Sequence, residues 1–355
     1  MARLLDRIAS LTALGLVAAG VSLVPWSAAH ASRPLGDTRV LAVVPDPGFP
    51  EGLAIRGSRA YVSTPSRSGT AGLGPSTIFV FSTSSGKVMR TYEIQGEVLS
   101  QDHSLNNMAF DRQHRLYALS SQLGLIRLDI RTGAQEVYAP PIPDLPRCAM
   151  APPPCSPTAN ANPPLANSLV FDPAGNAYIT DSAQATIFRV PRGGGTPQIW
   201  FQDSRLDGIV GTNGIRVSPD RQRIFVAVTF TAAAQGFIYS LPLVDAPTAG
   251  DLTAFHMYTT EAPDEIVFGR SGNLYVSLAL ANAASVLDPG GNEIARYPGP
   301  ADDGTPIDAP SGVALRRRSL LMNNHALFSQ NEDNMVVFDI FVNDRPDPLL
   351  LPRLP

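Results

Sequence analysis

The chain has 355 residues, an apolar fraction of 44% and a formal net charge of −4. That size and composition fit one large all-β domain or two ordinary ones, and the weak negative charge, with no basic run of useful length, argues against a nucleic-acid partner. The basic residues are nearly all arginine; Lys87 is the sole lysine.

The first element is an export signal, residues 1–31. Arg3 and Arg7 give a positive start, diluted by Asp6. Ile8 to Val24 is a run of mostly apolar and small residues, and Ala29-His30-Ala31 fits the small-x-small cleavage pattern. A retained membrane anchor is the alternative, with the run near the lower limit for spanning. The expectation is a secreted or extracytoplasmic protein whose remainder, 32–355, is a single domain.

Next comes an isolated apolar strand, Thr38 to Val44, followed by six units of similar rhythm. Each opens with a lead residue and a short apolar strand: Glu51-Gly-Leu-Ala-Ile, Asn106-Asn-Met-Ala-Phe, Asn167-Ser-Leu-Val-Phe, Asn213-Gly-Ile-Arg-Val, Asp264-Glu-Ile-Val-Phe and Ser311-Gly-Val-Ala-Leu. About eleven residues on comes a second strand, for example Ala60-Tyr-Val-Ser, Ala177-Tyr-Ile-Thr and Leu274-Tyr-Val-Ser, with Tyr or Phe at the same place in five of the six units. Gly175-Asn176 and Gly272-Asn273 mark hairpin turns between them. Third strands follow, such as Thr77-Ile-Phe-Val-Phe and Thr186-Ile-Phe-Arg-Val, and most units add a fourth, such as Gln198-Ile-Trp-Phe. Between the second and third units, Cys148 and Cys155 flank a Pro-rich stretch; in an exported chain this lone close pair is expected to form a disulfide.

Four short antiparallel strands repeated six times predict an all-β, six-bladed β-propeller around a central channel. A β-sandwich would leave the fixed offset between first- and second-strand signatures unexplained. The sixth unit lacks an outer strand, which Thr38–Val44 is placed to supply, closing the ring and removing an exposed edge.

In a propeller the first strand of each blade lines the channel, so Glu51, Asn106, Asn167, Asn213 and Asp264 face the axis near one mouth. Two carboxylates there would repel, and one pKa would rise. A divalent ion such as calcium removes that conflict, with the Asn amides completing an oxygen shell. His103, three residues before Asn106, and His325 read as structural. Arg316-Arg317-Arg318 reads as a solvated run at a blade turn. No nucleophile elbow, zinc-protease helix or phosphate loop is present.

Glu51 in Pro-Glu-Gly, Asn167 in Asn-Ser-Leu-Val-Phe-Asp-Pro-Ala-Gly-Asn, Asn213 in Asn-Gly-Ile-Arg-Val-Ser-Pro-Asp and Asp264 in Pro-Asp-Glu-Ile-Val-Phe together resemble the senescence marker protein/gluconolactonase/luciferin-regenerating-enzyme family, and more distantly the paraoxonases. The resemblance covers roughly residues 38–345 and implies a calcium-dependent hydrolase of a lactone or related ester. It implies Glu51, Asn167, Asn213 and Asp264 as metal ligands, Asp264 also as base or nucleophile, and Asn106 as a second-tier ligand or substrate contact. Two departures matter. Leu165 stands where sugar-lactone members carry an Arg, pointing to a less polar substrate. Gly52 and Ser168 stand where paraoxonases carry acids for a second ion, pointing to one metal. The alternative is a non-catalytic propeller resembling the yellow/royal-jelly proteins, which bind small molecules or proteins.

Overall fold

The computed structural model describes residues 33–348 and 350–355. The expected signal segment, 1–31, lies outside the described residues. From Pro34 onward the chain is one compact unit.

Six four-stranded antiparallel sheets make up this unit. Blade one holds β2 (Leu53–Arg56), β3 (Arg59–Thr64), β4 (Thr77–Ser82) and β5 (Val88–Glu93). Blade two holds β6 (Leu105–Phe110), β7 (Arg115–Ser120), β8 (Gly124–Asp129) and β9 (Gln135–Ala139). Blade three holds β10 (Ala166–Phe171), β11 (Ala177–Asp181), β12 (Thr186–Val190) and β13 (Gln198–Gln202). Blade four holds β14 (Val210–Val217), β15 (Arg223–Phe230), β16 (Gly236–Pro242) and β17 (Thr253–Tyr258). Blade five holds β18 (Pro263–Phe268), β19 (Leu274–Leu278), β20 (Ala283–Leu287) and β21 (Glu293–Tyr297). Blade six combines β22 (Pro310–Arg316), β23 (Ser319–Asn324) and β24 (Val336–Phe341) with β1 (Thr38–Val43) from the start of the chain. β1 pairs antiparallel with β24, Thr38 opposite Ile340 and Val43 opposite Val336, so the two ends of the propeller close the ring as expected.

The core lies between blades, in six apolar clusters, each shared by two neighbours around the ring. The recurrent aromatic of the second strand has a specific task there. Tyr61, Tyr117 and Phe225 each meet edge-to-face the Phe that ends the channel-lining core of the next blade's first strand: Phe110, Phe171 and Phe268, at 4.9, 5.1 and 5.1 Å between centroids. Such pairs contribute ~0.5–1.5 kcal/mol beyond their burial. Where blade four offers Val217 instead, Tyr178 packs on Trp200 of its own blade.

Cys148 and Cys155 form the expected disulfide in the connection between β9 and β10. Among the described residues no helix is long and apolar enough to cross a membrane.

Candidate functional site

The lead residues owe their direction to a backbone irregularity. In β6, β10, β14, β18 and β22 the ladder to the second strand shifts register across two residues, and these are the lead residue and its successor: Asn106-Asn107, Asn167-Ser168, Asn213-Gly214, Asp264-Glu265 and Ser311-Gly312. A bulge leaves its extra residue unpaired and re-aims the side chain. In blade one, Glu51 and Gly52 occupy the same place just ahead of β2, exchanging backbone bonds with Ser63.

Polar side chains near the end of the second strand hold the bulges. Ser63 Oγ accepts from Gly52 N (2.8 Å) and donates to Asn106 O of the next blade (2.6 Å). Thr180 Oγ1 likewise accepts from Ser168 N (2.9 Å) and donates to Asn213 O (2.7 Å). Ser277 Oγ accepts from Glu265 N (3.0 Å), and Asn323 Nδ2 donates to Glu51 O (2.9 Å). The sequence reading passed over these residues, although the repeat displays them: the fourth place of the second strand is polar in blades one, three, five and six and apolar in two and four.

The side chains at the ring fall into two kinds. Asn167 donates Nδ2–H to Ser182 Oγ (3.0 Å), and Asn213 donates Nδ2–H to Thr229 Oγ1 (3.1 Å). The Oδ1 atoms of Asn167, Asn213 and Asp264 are buried and accept no hydrogen bond. Asn106 differs. Its Oδ1 accepts from Ser66 Oγ (2.8 Å) and its Nδ2 donates to Ala166 O (2.6 Å), so its amide is already engaged. Ser311 Oγ donates to Pro50 O (2.8 Å).

Charge is uneven across this mouth. Burial, with the Glu265 charge adding to it, pushes the Asp264 carboxyl up to about 8, while the neighbouring Asn213 amide pulls the other way. Glu51 is raised well above the usual carboxylate range by burial, then by the Asp264 and Glu265 charges. Glu265, the second residue of the blade-five bulge, was not singled out from sequence. It is almost fully buried, lies 3.4 Å from the Arg216 guanidinium and accepts from the Asn107 amide. One carboxylate is therefore compensated from within, while Glu51 and Asp264 are not. Among the described residues no three His, Cys, Asp or Glu side chains gather as a metal cluster; the donor set at the ring is mixed carboxylate and amide.

Both histidines weighed in the sequence are structural. His103 is buried, with Nδ1 at 3.1 Å from Gln101 O and Nε2 at 2.9 Å from Gly74 O. His325, one residue beyond β23, is bonded to Ser66 O at 2.8 Å, and burial holds its pKa down at about 4. Leu165 is exposed immediately before β10, and exposed Ile209, Leu280 and Phe328 lie on other loops at the same end of the blades.

No protein-family model matches the chain, and no curated protein matches it in sequence. Its fold is similar to that of regucalcin from Agrobacterium tumefaciens strain C58, a calcium-binding protein: TM-score 0.62, 18% identity, covering 89% of this chain and 97% of that one. A luciferin-regenerating enzyme superposes with TM-score 0.60 at 12% identity, covering 89% and 99%. A gluconolactonase from Xanthomonas campestris gives 0.57 at 17%, covering 86% and 90%. These neighbours are of the kind the motifs resemble. At such identities they carry the fold, and function rests on the site.

Proposed function

We propose that this chain is an exported hydrolase of a lactone or related ester, working with one calcium-type ion at the channel mouth. The observation that carries the reading is the set of three buried oxygens without donors, on Asn167, Asn213 and Asp264, together with the Asp264 and Glu51 carboxyls, which burial and neighbouring acids leave under-ionised. Hard oxygen donors of mixed charge suit calcium, and a cation is the partner they lack. Glu51, Asn167, Asn213 and Asp264 would hold it, with Asn106 supporting the ring through Ser66 and Ala166 rather than by its own oxygen. The neighbours' names, gluconolactonase and calcium-binding regucalcin, agree with this reading.

When bound, the ion supplies Lewis-acid polarisation of the substrate carbonyl. The rest falls to the chain. Asp264 takes the proton of the attacking water as the water oxygen bonds to the carbonyl carbon, then returns it to the ring or ester oxygen as the carbonyl C–O bond breaks, giving a hydroxy acid from a lactone. Asn167 and Asn213 are oriented by Ser182 and Thr229 and hold their oxygens inward without adding charge. Exposed Leu165, Ile209, Leu280 and Phe328 around the mouth favour a substrate less polar than a sugar lactone.

The test is a panel of aliphatic lactones and aryl esters assayed with calcium and with chelator, in wild type and Asp264→Asn. The expected result is calcium-dependent turnover that chelator abolishes and that the variant, still binding the ion, loses by about 10²–10⁴-fold. Full activity in Asp264→Asn removes its assigned role. Absence of turnover with calcium bound replaces the enzyme with a binding propeller.

A further inference from the structure

A cavity of about 620 Å³ lies at the other end of the channel from the oxygen ring. That is within the ~300–1,000 Å³ usual for small-molecule sites. Its walls come from the far halves of the first strands, including Ala109, Val170, Val267 and Ala314, and from the hairpins that lead into the second strands. Pro346, Asp347, Pro348, Leu350 and Leu351 of the C-terminal segment contribute one side.

The charges on this apolar chamber are one-sided. Five arginines line it, Arg216, Arg221, Arg270, Arg316 and Arg317, against one acid, Asp347. Asp347 is already paired with Arg221 at 2.7 Å, and Arg216 with Glu265 at 3.4 Å. Arg270, Arg316 and Arg317 take part in no ion pair among the described residues. Arg316 ends β22, and its Nε is buried with no hydrogen-bond partner. Burial and the adjacent Arg317 lower its pKa, with Asp339 the acid that acts against them. The expectation of a simply solvated Arg316-Arg317-Arg318 run is thereby corrected: its first member is half-buried and turned onto the chamber. Three guanidinium groups without an ion-pair partner among the described residues, beside apolar walls, call for an anion with a hydrophobic body.

We propose that this chamber is a second ligand site, separate from the oxygen ring, for an amphiphilic monoanion such as a medium-chain carboxylate. The carboxylate lies against Arg316, with Arg270 and Arg317 at the rim, and the aliphatic chain lies between Val170, Val267 and Leu350.

Calorimetric titration of the full chain with decanoate and with decanol tests this. Decanoate is expected to bind saturably, and decanol at least about tenfold more weakly, the equivalent of one charge-assisted contact. Arg316→Gln should weaken decanoate by about tenfold or more, and Arg270→Gln, at an exposed position where the fold is not at stake, by a smaller factor. Asp264→Asn and added calcium or chelator should leave decanoate binding unchanged. Equal affinity for acid and alcohol, loss of binding in Asp264→Asn with Arg316→Gln unaffected, or no saturable binding by the wild type would each overturn the site.

Discussion

Asp264 and Glu51 are ordinary residue types made unusual by position. Each carboxyl in the ring keeps its proton to higher pH than it would in the unfolded chain. For Asp264 the interval runs from 3.8 to about 8. The folded state then binds the proton more tightly than the unfolded state, so this group's contribution is fully present below the lower value and is lost as pH rises through the upper one. The metal-free protein should therefore show a melting temperature that falls from about pH 5 to about pH 8, a slope that Asp264→Asn flattens. A bound cation takes the place of the protons, so calcium should counter the fall and its uptake should release protons. His325 works in the opposite sense at the acid end. Its folded pKa of about 4 lies below its ordinary 6.5, so stability present above 6.5 is lost as pH falls toward 4. His325→Gln, able to keep a donor toward Ser66 O, should reduce that acid-side loss. If thermal melts across pH show the same curve for wild type and both variants, these burial-driven shifts are wrong.

At the scale of elements, the bulge and the side chain that holds it carry the site. Ser63 satisfies two backbone groups on two blades at once. Ser63→Ala would leave the Gly52 N–H and the Asn106 carbonyl buried without that partner, which costs ~1–3 kcal/mol per unsatisfied group. Urea unfolding should show the loss, and calcium affinity should weaken as Glu51 and Asn106 lose register, while Ser84→Ala, at an exposed turn, should change neither. Gly312 makes a sharper case. A Cβ there would lie 2.1 Å from Glu51 O, so Gly312→Ala must push two first strands apart. It should weaken calcium binding more than Ser63→Ala does; unchanged affinity would mean that the ring tolerates more movement than this packing allows. The bulge itself was not legible in the sequence, because a register shift is a backbone event with no residue code of its own. The lead residues were legible only because six imperfect copies could be compared, and Glu265, which occurs once, had no such help: its meaning depends on Arg216 of the neighbouring blade and on Asn107 reaching it from blade two.

For the whole molecule, blade number and closure could be read in advance because stacking neighbours repeat one hydrophobic pattern. The C-terminal segment could not. Asp-Arg-Pro-Asp-Pro-Leu-Leu-Leu-Pro-Arg-Leu-Pro has neither strand nor helix period, yet its described residues meet the hairpin ends of blades five, four and two. Arg270 N donates to Arg345 O, Arg221 to Pro348 O, Arg112 N to Pro352 O and Arg115 to Pro355 O. Its placement rests on backbone amides and arginine side chains far away in sequence, which local pattern cannot reveal. The ring's closure is simpler to test. β1 is the outer strand of blade six, and without it β24, carrying buried Val336, Val337, Phe338 and Ile340, becomes an open edge. Unpaired edges template association, and the cluster shared by blades six and one would lose Ala42 and Val44. A chain beginning at Pro45 should therefore melt at lower temperature, unfold less cooperatively and self-associate. A peptide spanning residues 34–44, added in trans, should bind and restore much of the transition by filling the vacant edge. Light scattering and calorimetry on both chains decide the matter: a shortened chain that stays monomeric with the full-length melting curve would show that the sixth blade is held by its neighbours and needs no strand from the N-terminal end.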